Sequence, residues 1–257
     1  MASDLGTRWP DRPAGGPARL VADLVLFLAV SGVTMLVLGA TRGDGRPVPV
    51  TPDRAITLVP AAPATATRTA LTRLAVLPRR PARRGYDRSC GGGAGCVFGQ
   101  AWTDAVDVPL GHNGIDTRTD VIDRDGGADG ALRDAYSGRM TNHIQVDHIV
   151  PLAAAWDLGA ADWTPQRRRE FANDPAELVA VDAAENQAKS DLTPGDWRVC
   201  LRDAGRCARA RPPVWTPRAA IRCAYAQRYV EISARYGLAV TVPDRAALVD
   251  MVATCPP

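Results

Sequence analysis

Two short segments of the chain carry residues suited to a hydrolytic metal site. Residues 145–152 read QVDHIVPL, a run of alternating apolar residues that predicts a strand ending in adjacent Asp147 and His148. A carboxylate is a hard oxygen ligand suited to Mg²⁺ or Mn²⁺, and an imidazole can take a proton from water. The same pair also fits a strand-end carboxylate beside a purely structural histidine, so it does not decide the function alone.

The second segment is residues 185–191, ENQAKSD, whose composition predicts a helix. On such a helix Asn186 and Lys189 lie one turn apart on the same face. The Asn186 amide oxygen can complete the oxygen shell of a metal ion, and the Lys189 ammonium can meet a phosphate as a point charge. The 31 Lys and Arg residues comprise 30 arginines and this single lysine, which favours a specific role for Lys189.

With these residues in view, the chain resembles the HNH, or ββα-metal, endonucleases. Within them it is similar to exported actinobacterial HNH-family proteins, whose domain resembles the C-terminal nuclease domain of modification-dependent restriction enzymes. The similarity covers roughly residues 70–257. Its motifs are DHIVPLAAAWDLGA from Asp147, WTPQRRREFANDP from Trp163 and ELVAVDAAENQAKSD from Glu177, with GYDR, FGQAWTD and DTRTDVI upstream.

The resemblance implies that His148 is the general base and that Asp147 and Asn186 hold one divalent cation, Mg²⁺ or Mn²⁺, with no organic cofactor. It also draws attention to Glu177, because the family usually has Asn before the second strand, where it orients the catalytic His. Glu177 could accept the imidazole N–H and raise the pKa of the base, or it could mark weakened activity. We therefore count His148, Glu177 and Lys189 as catalytic candidates.

Arg118 is a second candidate for substrate binding beside Lys189. It lies in residues 116–122, DTRTDVI, where Asp116, Arg118 and Asp120 alternate with uncharged residues. The pattern fits an exposed strand edge with cross-strand ion pairs. It equally fits a loop whose Arg118 grips a phosphate.

The N-terminal part differs in composition from the rest. After a tail over residues 1–19, residues 20–40 form a 21-residue apolar run with Asp23 as its one charge, long enough to span a bilayer. Residues 41–69 are rich in Pro, Ala, Thr and Arg and predict a linker. We expect an uncleaved membrane anchor with an extracytoplasmic C-terminal domain, or a secreted protein if cleavage occurs near Ala40.

Charge and cysteines constrain the domain over residues 70–257. Residues 1–85 hold 12 Arg against 5 Asp, a net of +7, whereas residues 86–257 hold 19 Lys and Arg against 23 Asp and Glu, a net of −4. A polyanion must therefore be met by a local patch. Six cysteines favour disulfides in an exported protein. Local pairing of 90 with 96, 200 with 207 and 223 with 255 is one choice among many.

The predicted fold class is α+β: a ββα-metal core with a helical insertion and surrounding helices, preceded by one transmembrane helix. Strands are predicted to end at His148 and to cover residues 178–182. Helices are predicted over residues 153–158, 166–173, 183–190, 217–236 and 244–254.

The predicted function is metal-dependent hydrolysis of phosphodiester bonds in nucleic acid, with DNA as the favoured substrate, outside the cytoplasm. The alternative is a non-catalytic nucleic-acid or surface-binding protein on a decayed HNH frame.

Overall fold

The computed structural model describes residues 58, 60, 62–89, 96–202 and 214–256, all of them within the unit Val48–Pro257. The predicted tail and transmembrane helix, residues 1–40, lie outside the described residues. Among the helices that are described, none has the length and apolar character needed to cross a membrane.

The architecture is mixed α+β, with helices surrounding three small two-stranded sheets. In chain order the elements are α1 (Ala64–Arg73), β1 (Val76–Leu77), α2 (Thr117–Arg124), β2 (Leu132–Arg133), β3 (Met140–Thr141), β4 (Ile144–His148), α3 (Leu152–Leu158), α4 (Pro165–Asn173), β5 (Leu178–Asp182), α5 (Ala183–Lys189), α6 (Arg198–Arg202), α7 (Arg222–Tyr236), β6 (Val240–Thr241) and α8 (Val242–Val252). Strand β1 pairs with β6 in parallel, and β2 pairs with β3 antiparallel.

The predicted ββα unit is confirmed as β4, β5 and α5. Strands β4 and β5 are antiparallel, with Asp147 opposite Val179 and His148 opposite Leu178. Because successive side chains of a strand point to opposite faces, Asp147 and His148 start on different sides of the hairpin. The strand geometry therefore places Asp147 and His148 in two different chemical environments.

Each face of the hairpin is covered by a different hydrophobic cluster. Val146, Leu178 and Ala180 pack with Val121 of α2 in the smaller cluster. Val179 and Val181 of the opposite face belong to the main core. That core also contains most of the fully buried large side chains, which are Trp197, Tyr136, Tyr225, Tyr229, Phe171, Ile149, Ile221, Ile232 and Leu238.

Side chains accept hydrogen bonds from the amides at the outer edge of β5, beside which no further strand lies among the described residues. Asp125 accepts from the Ala180 amide N–H at 2.7 Å, and Asp134 accepts from the Asp182 amide N–H at 2.9 Å. An unpaired strand edge would invite pairing with another chain, and buried unpaired amides are costly. These two carboxylates therefore allow a two-stranded hairpin to lie at the centre of the domain.

Helix α5 follows β5 without a loop. Asp182 is its N-cap, and its carboxylate accepts from the Ala184 and Glu185 amide N–H groups. The Ala183 amide N–H donates to the His143 carbonyl at 2.8 Å, which fixes the start of the helix against the beginning of β4. This connection directs Lys189 at the end of α5 back toward Asp147.

Several predicted elements are found close to their predicted bounds. Helices α3 and α4 begin one residue earlier than predicted, and β5 covers the predicted residues 178–182. Helix α7 starts at Arg222, after a short 3₁₀ turn at Ala219–Ile221, instead of at residue 217. The last helix, α8, begins at Val242 because Thr241 and Asp244 form a capping box there.

The interpretation of residues 116–122 as a strand edge or loop was wrong. Helix α2 begins after Asp116, whose carboxylate caps it by accepting from the Thr119 amide N–H at 3.0 Å. The buried residues, Thr117 and Val121, are four apart, which is helical spacing. The alternation of charged and uncharged residues therefore did not indicate that this segment forms a short amphipathic helix.

Helix α1 lies partly in the predicted linker. It begins at Ala64, packs against α7 and buries Leu71, so the folded domain starts before residue 70. Leu71 and Leu74 are both buried in the main core.

The predicted bond between Cys223 and Cys255 is confirmed, and it ties α7 to the residues after α8. Cys96 and Cys200 are disulfide-bonded as well, and no described cysteine is free. Cys90 and Cys207 lie outside the described residues.

Removing the Cys223–Cys255 bond should weaken the domain measurably. The bond closes a separation of 32 residues, for which loop-closure entropy gives a stabilisation of about 3–4 kcal/mol. We expect the free energy of unfolding of a Cys223→Ala, Cys255→Ala double variant, measured by urea denaturation, to be lower than that of the wild type by this amount. Unchanged stability of the double variant would show that packing of α7 on α8 alone holds this end of the chain.

Candidate active site

A cleft of about 420 Å³ lies at the end of β4. Three sequence-predicted site residues line it together, Asp147, His148 and Asn186. Further lining residues include Tyr86, Arg88 and Asp191. The hairpin and α5 thus bring residues 147, 148 and 186 to one surface depression.

Asp147 is a buried carboxylate whose charge is compensated inside the protein. Lys189 Nζ lies 3.1 Å from Oδ1 and 2.9 Å from Oδ2, and the Tyr136 hydroxyl donates to Oδ2. Burial, and the nearby charge of Asp147, raise the pKa of Tyr136 well above its ordinary value, so the phenol keeps the proton that it donates. A paired and hydrogen-bonded carboxylate can remain ionised at this depth.

Lys189 does not face the cleft as the spacing of ENQAKSD predicted. Its side chain is fully buried, and Nζ also donates to the His148 carbonyl at 2.8 Å. Asn186, one turn earlier on α5, does line the cleft, so the two side chains diverge although helical spacing puts them on one side of the helix. Lys189 therefore contacts the site through Asp147 and the backbone of His148, and is not exposed to a phosphate.

His148 is held in one orientation by two neighbours. Its Nε2 lies 3.0 Å from the Ala172 carbonyl, which can only accept, so Nε2 carries the hydrogen and Nδ1 has the free lone pair. Trp102 stacks on the ring with centroids 5.9 Å apart. Burial, with the charge of Arg88 as a further cause, lowers the pKa of His148 to about 3. The imidazole is neutral at physiological pH.

Glu177 contacts the backbone after His148, not its ring. Its carbonyl accepts from the Ile149 amide N–H at 2.8 Å, and Oε1 accepts from the Val150 amide N–H at 2.9 Å. The Ala172 carbonyl, and not the predicted Glu177 carboxylate, meets the imidazole. Glu177 holds the turn by which the chain leaves β4.

The Glu177 side chain is completely buried, and Oε2 has no hydrogen-bond partner among the described residues. Burial raises the pKa of this carboxyl well above its usual range, against the opposing effect of the Val150 amide. Burial therefore favours the protonated form of the Glu177 carboxyl in the folded protein.

Asn186 lines the cleft. Its Nδ2 donates to Gln145 Oε1 at 2.9 Å, which fixes the amide and leaves Oδ1 as the acceptor atom available to a ligand. Arg118 is not among the residues that line the cleft. It donates to the Ile144 carbonyl at 3.0 Å, at the far end of β4.

The oxygen atoms of Asp147 and Asn186 fit a hydrated Mg²⁺ or Mn²⁺. Mg²⁺ is commonly held by one or two protein oxygens, with water and substrate phosphate completing the shell. Asp147 Oδ1 accepts one hydrogen bond from Lys189 and has a second lone pair for a cation. Within the described ranges no group of three or more His, Cys, Asp or Glu side chains could hold a metal, so a cage built by the protein alone is absent there.

Three residues of the site were missed by the sequence analysis: Tyr136, Trp102 and Arg88. Each comes from a segment outside the ββα unit. Trp102 lies in FGQAWTD and Arg88 in GYDR, two of the upstream motifs that resemble the HNH proteins. Tyr136 lies within the turn between β2 and β3, and its sequence neighbourhood carries no signal for a contact with residue 147.

Comparisons with known proteins place the chain in a family. Residues 118–251 match the family described as GmrSD restriction endonucleases, C-terminal domain. An uncharacterized secreted protein of Arthroderma benhamiae is 32% identical over 154 residues, which cover 54% of this chain and 67% of that protein. No solved structure matches the chain.

The buried ion pair allows a direct stability test. Lys189→Met keeps most of the side-chain volume but leaves Asp147 as a buried carboxylate without its cation, which should cost about 3–5 kcal/mol in urea unfolding. The Asp147→Asn, Lys189→Met double variant removes both charges and should recover much of that loss. Equal losses in the single and double variants would contradict a charge interaction, because removal of the lysine's packing would then explain the effect.

The raised pKa of Glu177 predicts a distinctive dependence of the free energy of unfolding on pH. Because its pKa is raised by folding, its stabilisation is fully present below the unfolded pKa, near 4.5, and is lost as pH rises toward the folded pKa. Glu177→Gln has no such titration. Urea unfolding from pH 4.5 upward should therefore show the wild type losing stability relative to Glu177→Gln. Parallel curves for the two proteins would mean that Glu177 is ionised in the fold.

Proposed function

Because the chain belongs to the family of the C-terminal domain of GmrSD restriction endonucleases, we propose that it is a metal-dependent endonuclease of the HNH type. The proposed reaction is hydrolysis of phosphodiester bonds in nucleic acid, with DNA as the substrate that the family description favours. The observation that carries the proposal is the convergence of Asp147, His148 and Asn186 on one cleft.

His148 is the proposed general base. It is neutral, its Nε2 hydrogen is directed to the Ala172 carbonyl, and its Nδ1 lone pair is free to accept a proton. In the proposed step Nδ1 takes a proton from water, and the resulting hydroxide attacks phosphorus in line with the leaving 3′-oxygen. Trp102 and Ala172 prevent the ring from turning away during this transfer.

Asp147 and Asn186 are the proposed ligands of one Mg²⁺ or Mn²⁺. Such an ion stabilises the charge that develops on the phosphoryl oxygens and the leaving 3′-oxygen. Lys189 and Tyr136 hold the Asp147 carboxylate in place, while Gln145 holds the Asn186 amide. These contacts fix the two ligand oxygens before any ion binds, which favours catalysis by preorganisation.

We place the activity outside the cytoplasm. The described cysteines are all disulfide-bonded, which is usual in oxidising compartments and rare in the cytosol. The similar fungal protein is named as secreted. The apolar segment over residues 20–40 would serve as a membrane anchor, or as an export signal if it is cleaved near Ala40.

Nicking of supercoiled plasmid DNA tests the proposal. The purified full chain should nick the plasmid in Mg²⁺ or Mn²⁺, and EDTA should stop the reaction. His148→Ala should lower the rate roughly 10²- to 10⁴-fold, the usual contribution of a general base. His143→Ala, which changes an exposed histidine on the same segment, is the matched control and should cleave at the wild-type rate.

Two results would count against this function. DNA binding by the wild type without metal-dependent nicking at any protein concentration would favour the non-catalytic alternative. Cleavage by His148→Ala at the rate of His143→Ala would remove His148 from the mechanism.

A further inference from the structure

Phosphodiester hydrolysis requires positive charge beside the reacting phosphate, and the two cations predicted for this role do not line the cleft. Lys189 is fully buried against Asp147. Arg118 donates to the Ile144 carbonyl at the other end of β4. The substrate-binding cation of the site therefore has to come from another segment.

The charges that line the cleft show where that cation is. Asp147 is paired with Lys189, and Asp191 is paired with Arg80 at 3.1 Å. The remaining charged side chain of the lining is Arg88, which is exposed and forms no ion pair with any residue that the structure describes. Arg88 thus gives the cleft one uncompensated positive charge.

Arg88 lies beside the proposed base. It borders both the main cleft and a smaller cavity on the Trp102 side of His148, so its side chain lies where the two cavities meet at the imidazole. Its positive charge is also one of the causes that lower the pKa of His148. If a water molecule bound to Nδ1 of His148 attacks a phosphate, that phosphate would lie within the electrostatic field of the Arg88 guanidinium.

Contacts of Tyr86 and of the Arg84 carbonyl anchor the backbone that leads to Arg88. The Tyr86 ring is half-buried and packs against Phe98 and Trp156, with centroids 6.4 and 6.3 Å away. Trp156 Nε1 donates to the Arg84 carbonyl at 3.2 Å. This segment is held on the domain by aromatic packing, although it precedes the ββα unit by some sixty residues.

A second set of contacts fixes the residues that flank Arg88. The Val97 amide N–H donates to the Asp87 carbonyl at 3.0 Å. The Asp87 carboxylate accepts from the Ser89 amide N–H and hydroxyl at 2.9 and 2.8 Å, which forms a local turn around residue 88. These contacts fix the backbone on both sides of residue 88, while the guanidinium has no hydrogen-bond or ion-pair partner among the residues that the structure describes. The base of the Arg88 side chain is thus fixed beside the cleft, and its guanidinium remains available to a ligand.

We infer that Arg88 binds the scissile phosphate of the substrate, with its planar fork donating to two non-bridging oxygens. The inference rests on the proposed function, because it names the substrate contact of that same site. Phosphate binding by arginine is geometrically specific, since the guanidinium offers parallel N–H donors that match the spacing of two phosphate oxygens.

The first test measures binding without cleavage. The full chain carrying His148→Ala is titrated in EDTA into a fluorescein-labelled 20-base-pair DNA duplex, and the association constant is followed from 50 to 200 mM NaCl. Each phosphate contact contributes a slope of about 0.9 to the plot of log K against log salt concentration. Adding Arg88→Ala should make that slope about 0.9 shallower. Adding Arg79→Ala, which removes an exposed charge from the same segment outside the cleft, should leave it unchanged.

The second test measures plasmid nicking with His148 intact. Arg88→Ala should lower kcat/KM roughly 10- to 100-fold, because a charge-assisted contact to the reacting group is lost. Arg88→Lys keeps the charge but not the fork, so its kcat/KM should lie between those of the wild type and Arg88→Ala. Arg79→Ala should match the wild type. Equal thermal midpoints for all four proteins would show that the fold is unchanged, as expected for exposed side chains.

The outcomes separate this inference from the proposed function. A wild type that does not nick DNA, with a salt slope that still depends on Arg88, would refute the nuclease and retain Arg88 as a phosphate contact. Nicking by the wild type with the same slope and kcat/KM in Arg88→Ala as in Arg79→Ala would overturn the inference alone. Failure of the His148→Ala protein to bind the duplex at any salt concentration in that range would overturn it as well.

Discussion

The buried ion pair between Asp147 and Lys189 is the interaction on which the arrangement of the site depends. It joins the end of β4 to the end of α5, and the same ammonium binds the carbonyl of His148. A single cation therefore permits a charged carboxylate at a depth where it would otherwise be too costly, and it fixes the main chain of the general base. Removing the lysine would therefore disturb both the charge balance and the geometry of the site. A compact ammonium fits in this buried position where a guanidinium fork would not, which explains why a chain otherwise rich in arginine has a lysine here.

The strand geometry also separates the two kinds of chemistry in the site. Asp147 points to the side of the hairpin that holds Lys189 and Tyr136, where charges and hydrogen bonds are concentrated. His148 points to the side of Trp102 and Ala172, where burial keeps the imidazole neutral. Adjacent residues in a strand can therefore serve as a charged ligand and an uncharged base. The two environments meet only at the open end of the hairpin, where the cleft lies.

The sequence was sufficient to predict what depends on local patterns. The apolar alternation before Asp147, the strand LVAVD and the helix after it gave the ββα unit, and helical spacing placed Asn186 and Lys189 on one face. The direction of that face was not predictable, because the packing of α5 against β4 decides whether Lys189 points to solvent or to the core. Tyr136, Trp102 and Arg88 reach the site from distant segments, and residue type and spacing carry no information about such contacts. Glu177 illustrates the same limit, since its raised pKa results from complete burial, which its sequence position does not reveal.

The distribution of charge resolves an apparent conflict between an acidic domain and a polyanionic substrate. Residues 86–257 carry a net charge of −4 from 19 basic and 23 acidic side chains, so attraction of nucleic acid over long distances is weak. Inside the cleft, however, each lining acid has its own cation, Lys189 for Asp147 and Arg80 for Asp191. A phosphate that enters the cleft therefore meets the field of Arg88 without competition from unpaired carboxylates. Exposed charges farther than about 8–10 Å away are screened at physiological salt. Local compensation at the cleft, and not the net charge of the domain, then determines whether a phosphodiester can approach His148.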